Sequence, residues 1–396
     1  MRGRAVVAAI LIAMCAPGVA RAQTIEERQW HLAALGVPAA HGTTRGEGVV
    51  VAVVDSGVDG TRPDLAGALL PGAGFGSSSG TDGTEDNDGH GTAMATLIAG
   101  RAVDGGALGV APDAMILPIA VGSDGDRFTT TSVAEGVTWA VDHGAEVINL
   151  SLTSLATLTP DLLRAVNYAF DHDAVVVAGT GNDGEEHVGA PANIKGVIAV
   201  SGTIQGNGPW LESNTGPETV LAAPAQRIVT AVPLKVVDTG YAEVDGTSAA
   251  TALVSGVAAL VRARYPDMDA GNVVNRLIAT ATDLLAPGRD NATGFGQVDA
   301  VAALTADVPP VASNPLAPPP DTSSAVPPPS AESLPAPPDD AGSRVLLVFG
   351  GLGAAGVAVV VVSLLLARRR RIRRAPVPVV TEIPPPSDDF WRNDRF

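Results

Sequence analysis

Val49-Val-Val-Ala-Val-Val54 runs without a polar residue into Asp55-Ser-Gly57. Six apolar residues in a row, five of them β-branched, show no alternation, so neither face of this strand is meant for water. A carboxylate then closes the run just before a tight turn. Glu146-Val-Ile-Asn-Leu150, Ala174-Val-Val-Val-Ala178 and Gly196-Val-Ile-Ala-Val200 repeat the theme further along. Between them apolar residues recur at helical spacing, first Val133, Val137, Ala140 and Val141, then Leu162, Val166 and Phe170. Alternating buried strands and amphipathic helices predict an α/β fold with a mainly parallel central sheet flanked by helices on both faces.

Outside this body the composition changes twice. At the start, Arg2 and Arg4 precede an apolar stretch from Val6 to Met14, and Ala20-Arg21-Ala22 follows as a small-x-small exit. This is the three-part pattern of a secretory signal peptide over residues 1–22. Residues 23–48 are expected to pack on the globular body, with Trp30 and Leu32 as anchors, and residues 49–306 form that body. From 307 to 343 proline dominates, with Pro309, Pro310, Pro315 and Pro318 to Pro320 opening the series. Such a stretch builds no core and favours an extended spacer. Val345 to Ala367 carries no charge and is long enough to cross a bilayer, so residues 344–367 are expected to be one transmembrane helix. Arg368 to Arg371, Arg373 and Arg374 come next, which places the tail, 368–396, in the cytoplasm by the positive-inside rule.

The formal charge is -17, with the acidic residues spread through the first three hundred positions, which argues against nucleic-acid binding. The single cysteine, Cys15, falls in the signal segment, so the mature chain would have no disulfide and its core must hold it. With 46% apolar residues it has the material.

Three islands carry chemistry. The first is Asp55 at its strand end. The second is Asp88-Gly-His90-Gly-Thr92, whose glycines allow close backbone approach to the ring and which leads into a helical stretch ending near Gly100. The third is Asp245-Gly-Thr-Ser248-Ala-Ala250, opening an apolar helix through Leu253, Val257, Leu260 and Val261. Ser248 thus stands at a helix N-terminus, where the dipole favours developing negative charge. An aspartate turn cap, a structural histidine and a serine N-cap are each the commoner reading of one island alone. The order Asp, His, Ser, with each residue in its local setting, is what decides between the readings.

With that order the sequence resembles the subtilases, over nearly the whole globular stretch. Ala178-Gly-Thr-Gly-Asn182-Asp-Gly184 resembles the family's oxyanion-hole segment. Ser213-Asn-Thr-Gly216 with Ala222-Ala-Pro224, and Gly294-Phe-Gly-Gln-Val-Asp299-Ala300, are similar to two further blocks. The resemblance implies a subtilisin-like three-layer fold and a serine endopeptidase. Its catalytic residues would be Asp55, His90 and Ser248, with Asn182 as an oxyanion donor. Leu150, Ser151, Leu152 and Thr153, with Gly179 and Gly181, would line the substrate strand. It implies no cofactor. Asp82, Glu85, Asp86 and Asp88 fit no defined calcium loop and are read as a solvated acidic loop, so no metal is expected. Glu185, Glu186 and His187 are read as a solvated charge cluster, the alternative being a bias of the pocket toward basic or polar side chains.

Two departures stand out. Ala252 occupies the place of a proline common in subtilases, which should ease the helix. The stretch between Ala22 and Asp55 is too short for a folded inhibitory pro-domain, and none is expected. The overall plan resembles more narrowly the mycosins, membrane-anchored subtilases associated with type VII secretion, although mycosins commonly carry ectodomain cysteines. That resemblance implies a single-pass cell-membrane protein with its catalytic domain outside. Its partners would be polypeptide substrates, the membrane through one C-terminal span, and a membrane secretion complex. A structural docking component with secondary catalysis and a generic surface-anchored degradative subtilase remain the alternatives.

Overall fold

The computed structural model describes residues 24–122, 128–153 and 158–317. Three short helices come first, α1 (Ile25–Arg28), α2 (Trp30–Ala34) and α3 (Val37–Ala40). Then follow β1 (Val50–Asp55), β2 (Ala73–Gly74), α4 (His90–Ala99), β3 (Met115–Ala120), α5 (Thr130–Asp142), β4 (Val147–Leu150), α6 (Pro160–Asp171), β5 (Val175–Gly179), β6 (Ile198–Thr203) and β7 (Thr219–Pro224). A hairpin, β8 (Ile228–Ala231) and β9 (Tyr241–Val244), precedes α7 (Thr247–Arg264), α8 (Ala270–Ala279) and α9 (Ala300–Thr305).

β1 lies inside the main sheet because every residue from Val51 to Asp55 is buried and needs cover on both faces. The sheet order is β2-β3-β1-β4-β5-β6-β7, and each neighbouring pair is parallel. Ala52 stands opposite Leu117 on one side and Ile148 on the other. α4 and α7 pack together on one face, and α5 and α6 pack together on the other, giving three layers. α7 is buried along nearly its whole length, as a helix apolar on all sides must be. Ala252 keeps it unbroken. Its far end is fixed by Arg262, which is only 3% exposed. That guanidinium donates to Asp173 Oδ2 at 2.9 Å, to the Met268 carbonyl at 2.8 Å, and to the Asp173 carbonyl.

The N-terminal helices are sewn onto this body. Thr24 and Glu27 form a capping box that starts α1. The buried Gln29 amide acts as a short piece of strand: its Oε1 accepts from Leu108 N at 2.8 Å, and its Nε2 donates to the carbonyls of Leu108 and Val229 at 2.9 and 3.2 Å. Trp30 Nε1 donates to the Arg227 carbonyl at 3.1 Å. Leu32, Leu35, Val37 and Ala40 are buried in the common core. On the other side, Ala300 N donates to the Leu35 carbonyl at 3.1 Å, tying this segment to the start of α9.

The proline-rich stretch does not leave the body at 307. Asn272 on α8 accepts from Val311 N at 2.8 Å and donates to Val311 O at 3.1 Å, replacing a strand partner with one side chain. Asn275 donates to Pro309 O at 3.1 Å and Asn314 to Gly196 O at 3.0 Å. Leu316 packs on the core. Among the described residues no helix is long and apolar enough to cross a membrane. The expected signal segment 1–22, most of the expected spacer, the expected span 344–367 and the tail 368–396 lie outside them.

His31 on α2 is fully buried, and neither ring nitrogen has a hydrogen-bond partner. Burial pushes its pKa down to about 3. The folded-state value is depressed, so the unfolded chain binds the extra proton first as pH falls below the ordinary ~6.5 of histidine. Stability contributed by the neutral ring is therefore full above that pH and drains away between it and about 3. At pH ~5 the loss should be about 2 kcal/mol relative to pH ~8. Urea unfolding of the parent and of His31→Leu at both values checks this. The leucine variant should show a smaller drop with acid, and an equal drop would show that His31 does not govern it.

Candidate active site

The C-terminal ends of β1, β4 and β5, three adjacent strands, share one edge of the sheet. Asp55 closes β1 with no exposure to solvent. Its Oδ1 accepts from Ser56 N and from His90 Nδ1, both at 2.8 Å, while Oδ2 has no donor. His90 is the first residue of α4. The approach of that helix to β1 is possible only without a side chain at position 91. A Cβ built on Gly91 would lie 2.1 Å from the Gly57 carbonyl oxygen.

Asp86 holds the two pieces together. It is fully buried, not solvated as the acidic loop reading expected, because it gathers five hydrogen bonds. Oδ1 accepts from Ser56 Oγ at 2.9 Å, Gly89 N at 2.8 Å and Asp88 N at 3.1 Å. Oδ2 accepts from Thr92 N at 2.9 Å and Thr92 Oγ1 at 2.5 Å. Ser56 Oγ in turn accepts from Gly91 N at 2.9 Å. The unpaired N–H groups at the start of α4 are thereby satisfied, and a negative charge sits at the positive end of its dipole. Asp82 and Glu85 do stay exposed, and Asp88 is half-buried, its carboxylate accepting from His90 N at 3.2 Å.

Burial pulls the His90 imidazole down, but the Asp55 carboxylate, through its charge and its hydrogen bond, more than offsets this. With the charges of Asp88 and Asp86 behind it, the ring ends above the usual histidine value. Burial also raises the Asp88 carboxyl above the usual carboxylate range.

Ser248 is the second residue of α7. Its Oγ lies 3.1 Å from the Ser151 carbonyl, just past the end of β4. A polar chain locks this junction from beneath: Ser255 Oγ donates to Asn149 Oδ1 at 3.0 Å, Asn149 Nδ2 to Ser151 Oγ at 2.9 Å, and Ser151 Oγ to the Ser248 carbonyl at 3.0 Å. Leu150 is fully buried and paired with Ala178, so the chain is free to meet another strand only from Ser151 onward. The Leu152 side chain turns into the core, and Thr153 Oγ1 donates to Gly179 O at 2.8 Å.

Asn182 follows β5. Thr247 donates to its Oδ1 twice, from the backbone N at 2.9 Å and from Oγ1 at 2.8 Å. With the oxygen so engaged, Nδ2 is the half of the amide left to face outward. A Cβ built on Gly246 would find Asn182 Nδ2 at 3.6 Å and Ser248 N at 3.7 Å, so two N–H donors converge beside that bare glycine. Gly181 keeps the loop close: a Cβ there would lie 2.3 Å from Asn214 Nδ2. Glu185, Glu186 and His187 are exposed.

The sequence islands at 55, 90, 182 and 248, with the stretch 151–153, therefore line one strand-end edge. The family model for Peptidase S8, the subtilase family, matches residues 46–296. The chain belongs to the subtilase family. Subtilisin BL of Lederbergia lenta is 39% identical over 277 residues, covering 69% of this chain and 97% of that protein. Mycosin-1 of Mycobacterium tuberculosis is 35% identical over 334 residues, covering 71% of this chain and 74% of its relative. The solved structure of MycP3 protease from the type VII (ESX-3) secretion system is 33% identical, with a TM-score of 0.60, covering 70% of this chain and 88% of that one. This subtilase is thus a subtilisin-like serine protease of α/β fold.

Thr247, Asn149 and Ser255 were not singled out from the sequence, and Asp86 was read there only as part of a solvated acidic loop. Thr247 could have been, since it adjoins Ser248; Asp86 resembles any loop acid until its five donors are seen. Asp86→Asn should destabilise the fold by about 2 kcal/mol, because one acceptor oxygen becomes a donor facing other donors. Urea denaturation measures the loss, and peptidase turnover should fall with it. An unchanged midpoint would contradict the brace.

Proposed function

We propose that this subtilase is a membrane-anchored, extracytoplasmic serine endopeptidase in which Asp55, His90 and Ser248 act as a triad. The observation that carries the reading is the buried 2.8 Å hydrogen bond from His90 Nδ1 to Asp55 at the strand-end edge that also holds Ser248. A polypeptide would lie along Ser151–Thr153, with Gly179 and Gly181 lining the same strand. Ser248 Oγ attacks the scissile carbonyl while His90 takes its proton. Asp55 fixes the ring so that the other nitrogen faces the serine, and its charge stabilises the imidazolium. Asn182 Nδ2 and Ser248 N–H receive the oxyanion, aided by the α7 N-terminus. The imidazolium then protonates the leaving amine, and a water repeats the sequence on the acyl-enzyme.

Residues 344–367 would supply the membrane span and residues 307–343 the spacer. The likeness to Mycosin-1 and to the MycP3 protease of a type VII secretion system supports a role beside a secretion complex.

An active-site phosphonate applied to the full-length chain should label Ser248, and Ser248→Ala should abolish both labelling and peptide turnover. Labelling that persists in the alanine variant would place the nucleophile elsewhere. If the secretion role survives in Ser248→Ala but not after deletion of 344–367, docking rather than cleavage is the function. Asn182→Ala should lower kcat on the order of 10²–10³-fold, the range for losing this donor in subtilisin. Catalysis needs neutral His90, and its pKa is raised, so kcat/KM should fall as pH drops through a value above ~6.5. Asp88→Asn removes one of the charges that raise it, so this acid limb should move to lower pH in a pH–rate profile. A limb that stays put would remove Asp88 from the control of His90.

A further inference from the structure

The tip of the β8–β9 hairpin comes down beside His90. Val236 N and Val237 N both donate to Pro233 O, at 2.9 and 3.1 Å, and Gly240 N donates to Val237 O at 2.8 Å. Val232 N closes the tip by donating to Gly240 O at 3.0 Å. The tip is therefore an ordered knot of turns, and it is tied down at two places. Lys235 Nζ donates to Asn87 Oδ1 at 2.7 Å, within the loop that leads to His90. At its base, Tyr241 Oη donates to the fully buried Asp64 at 3.1 Å, which also takes Arg62 Nη2 at 2.6 Å.

Its contact with the catalytic loop is direct. A Cβ built on Gly89 would meet Pro233 Cδ and Val236 Cγ2 at 3.3 Å, so the tip rests on the residue that immediately precedes His90. Pro233 is buried and Val236 and Val237 are half-buried. Leu234 alone among these apolar residues stands out, 57% exposed. Leu234 thus holds an exposed apolar side chain on a fixed loop, one residue from the Pro233 that lies against Gly89, the neighbour of His90.

Chemistry says which part of the chain. The proposed acyl half lies along Ser151–Thr153 and its carbonyl oxygen faces Asn182. The leaving amine takes its proton from His90, so the segment it heads departs on the His90 side, where the hairpin tip stands. Resting on the catalytic reading above, we propose that Leu234 is a specificity residue for the leaving segment. It forms an apolar wall that favours an aliphatic side chain at one of the first two residues after the scissile bond.

The test uses the purified full-length chain and two kinds of substrate. One is a peptidyl anilide, which has no leaving peptide. The other is a set of quenched peptides with the same acyl half and Leu or Ser at each of the first two leaving positions. The parent should prefer Leu to Ser at one of them by about tenfold in kcat/KM, the scale for one apolar contact in a specificity pocket. Leu234→Ser should bring that ratio close to one and leave anilide turnover within about twofold, since it touches no atom of the acylation step. Leu234→Met should keep the preference. An unchanged ratio in Leu234→Ser with intact anilide turnover overturns the proposal. An inactive parent on the anilide overturns the catalytic reading, and this inference with it.

Discussion

A buried carboxylate that is no member of the proposed triad sets the geometry on which the site depends. Asp86 draws Ser56, Gly89 and Thr92 to one point, and that point is where the end of β1 meets the start of α4. An ion so deeply buried is tolerable only when donors surround it, and here five do. Their positions then follow from its needs. Ser56 is the neighbour of Asp55, and Gly89 is the neighbour of His90, so satisfying Asp86 places Asp55 and His90, the proposed catalytic pair, at 2.8 Å. The same charge adds to the field that lifts the His90 ring.

The serine side of the site is arranged by a different device. No buried charge is needed there, because α7 itself is an apolar rod through the core and its first turn can be positioned by packing. Fine adjustment comes from neutral groups. Thr247 turns the Asn182 amide, and the line Ser255, Asn149, Ser151 fixes the height of the helix against β4. A charged brace on one side and a neutral one on the other suits the proposed reaction, in which the histidine becomes charged and the serine oxygen must not be pre-empted.

Strands that are apolar throughout were legible because burial on both faces leaves no other reading. β1, β4, β5 and β6 fall where the runs at 49–54, 146–150, 174–178 and 196–200 placed them, within a residue or two at the start. β3 was not read from the sequence. Pro118 sits in its middle and breaks the donor pattern expected of an inner strand. It is tolerated because the neighbour on its outer side, β2, is only two residues long and pairs at Ile119 and Ala120. Order along the chain singled out Asp55, His90 and Ser248 as the proposed triad, whereas the burial of Asp86 was hidden because it depends on contacts far apart in sequence. The hold of Asn272 and Asn275 on the start of the proline-rich stretch was hidden for the same reason, since composition speaks of stiffness and says nothing of attachment.

That attachment gives the domain a handle. α7 is 18 residues long, so its two ends are about 25 Å apart. Ser248 is at one end, and the turn into α8, where Asn272 grips the backbone of Val311, follows the other. Force or tethering applied through residue 317 reaches the body at α8 and at the start of β6, and Arg262 passes it into the C-terminal turn of α7. The working edge would be spared the strain, as a blade is when the tool is held by its opposite end.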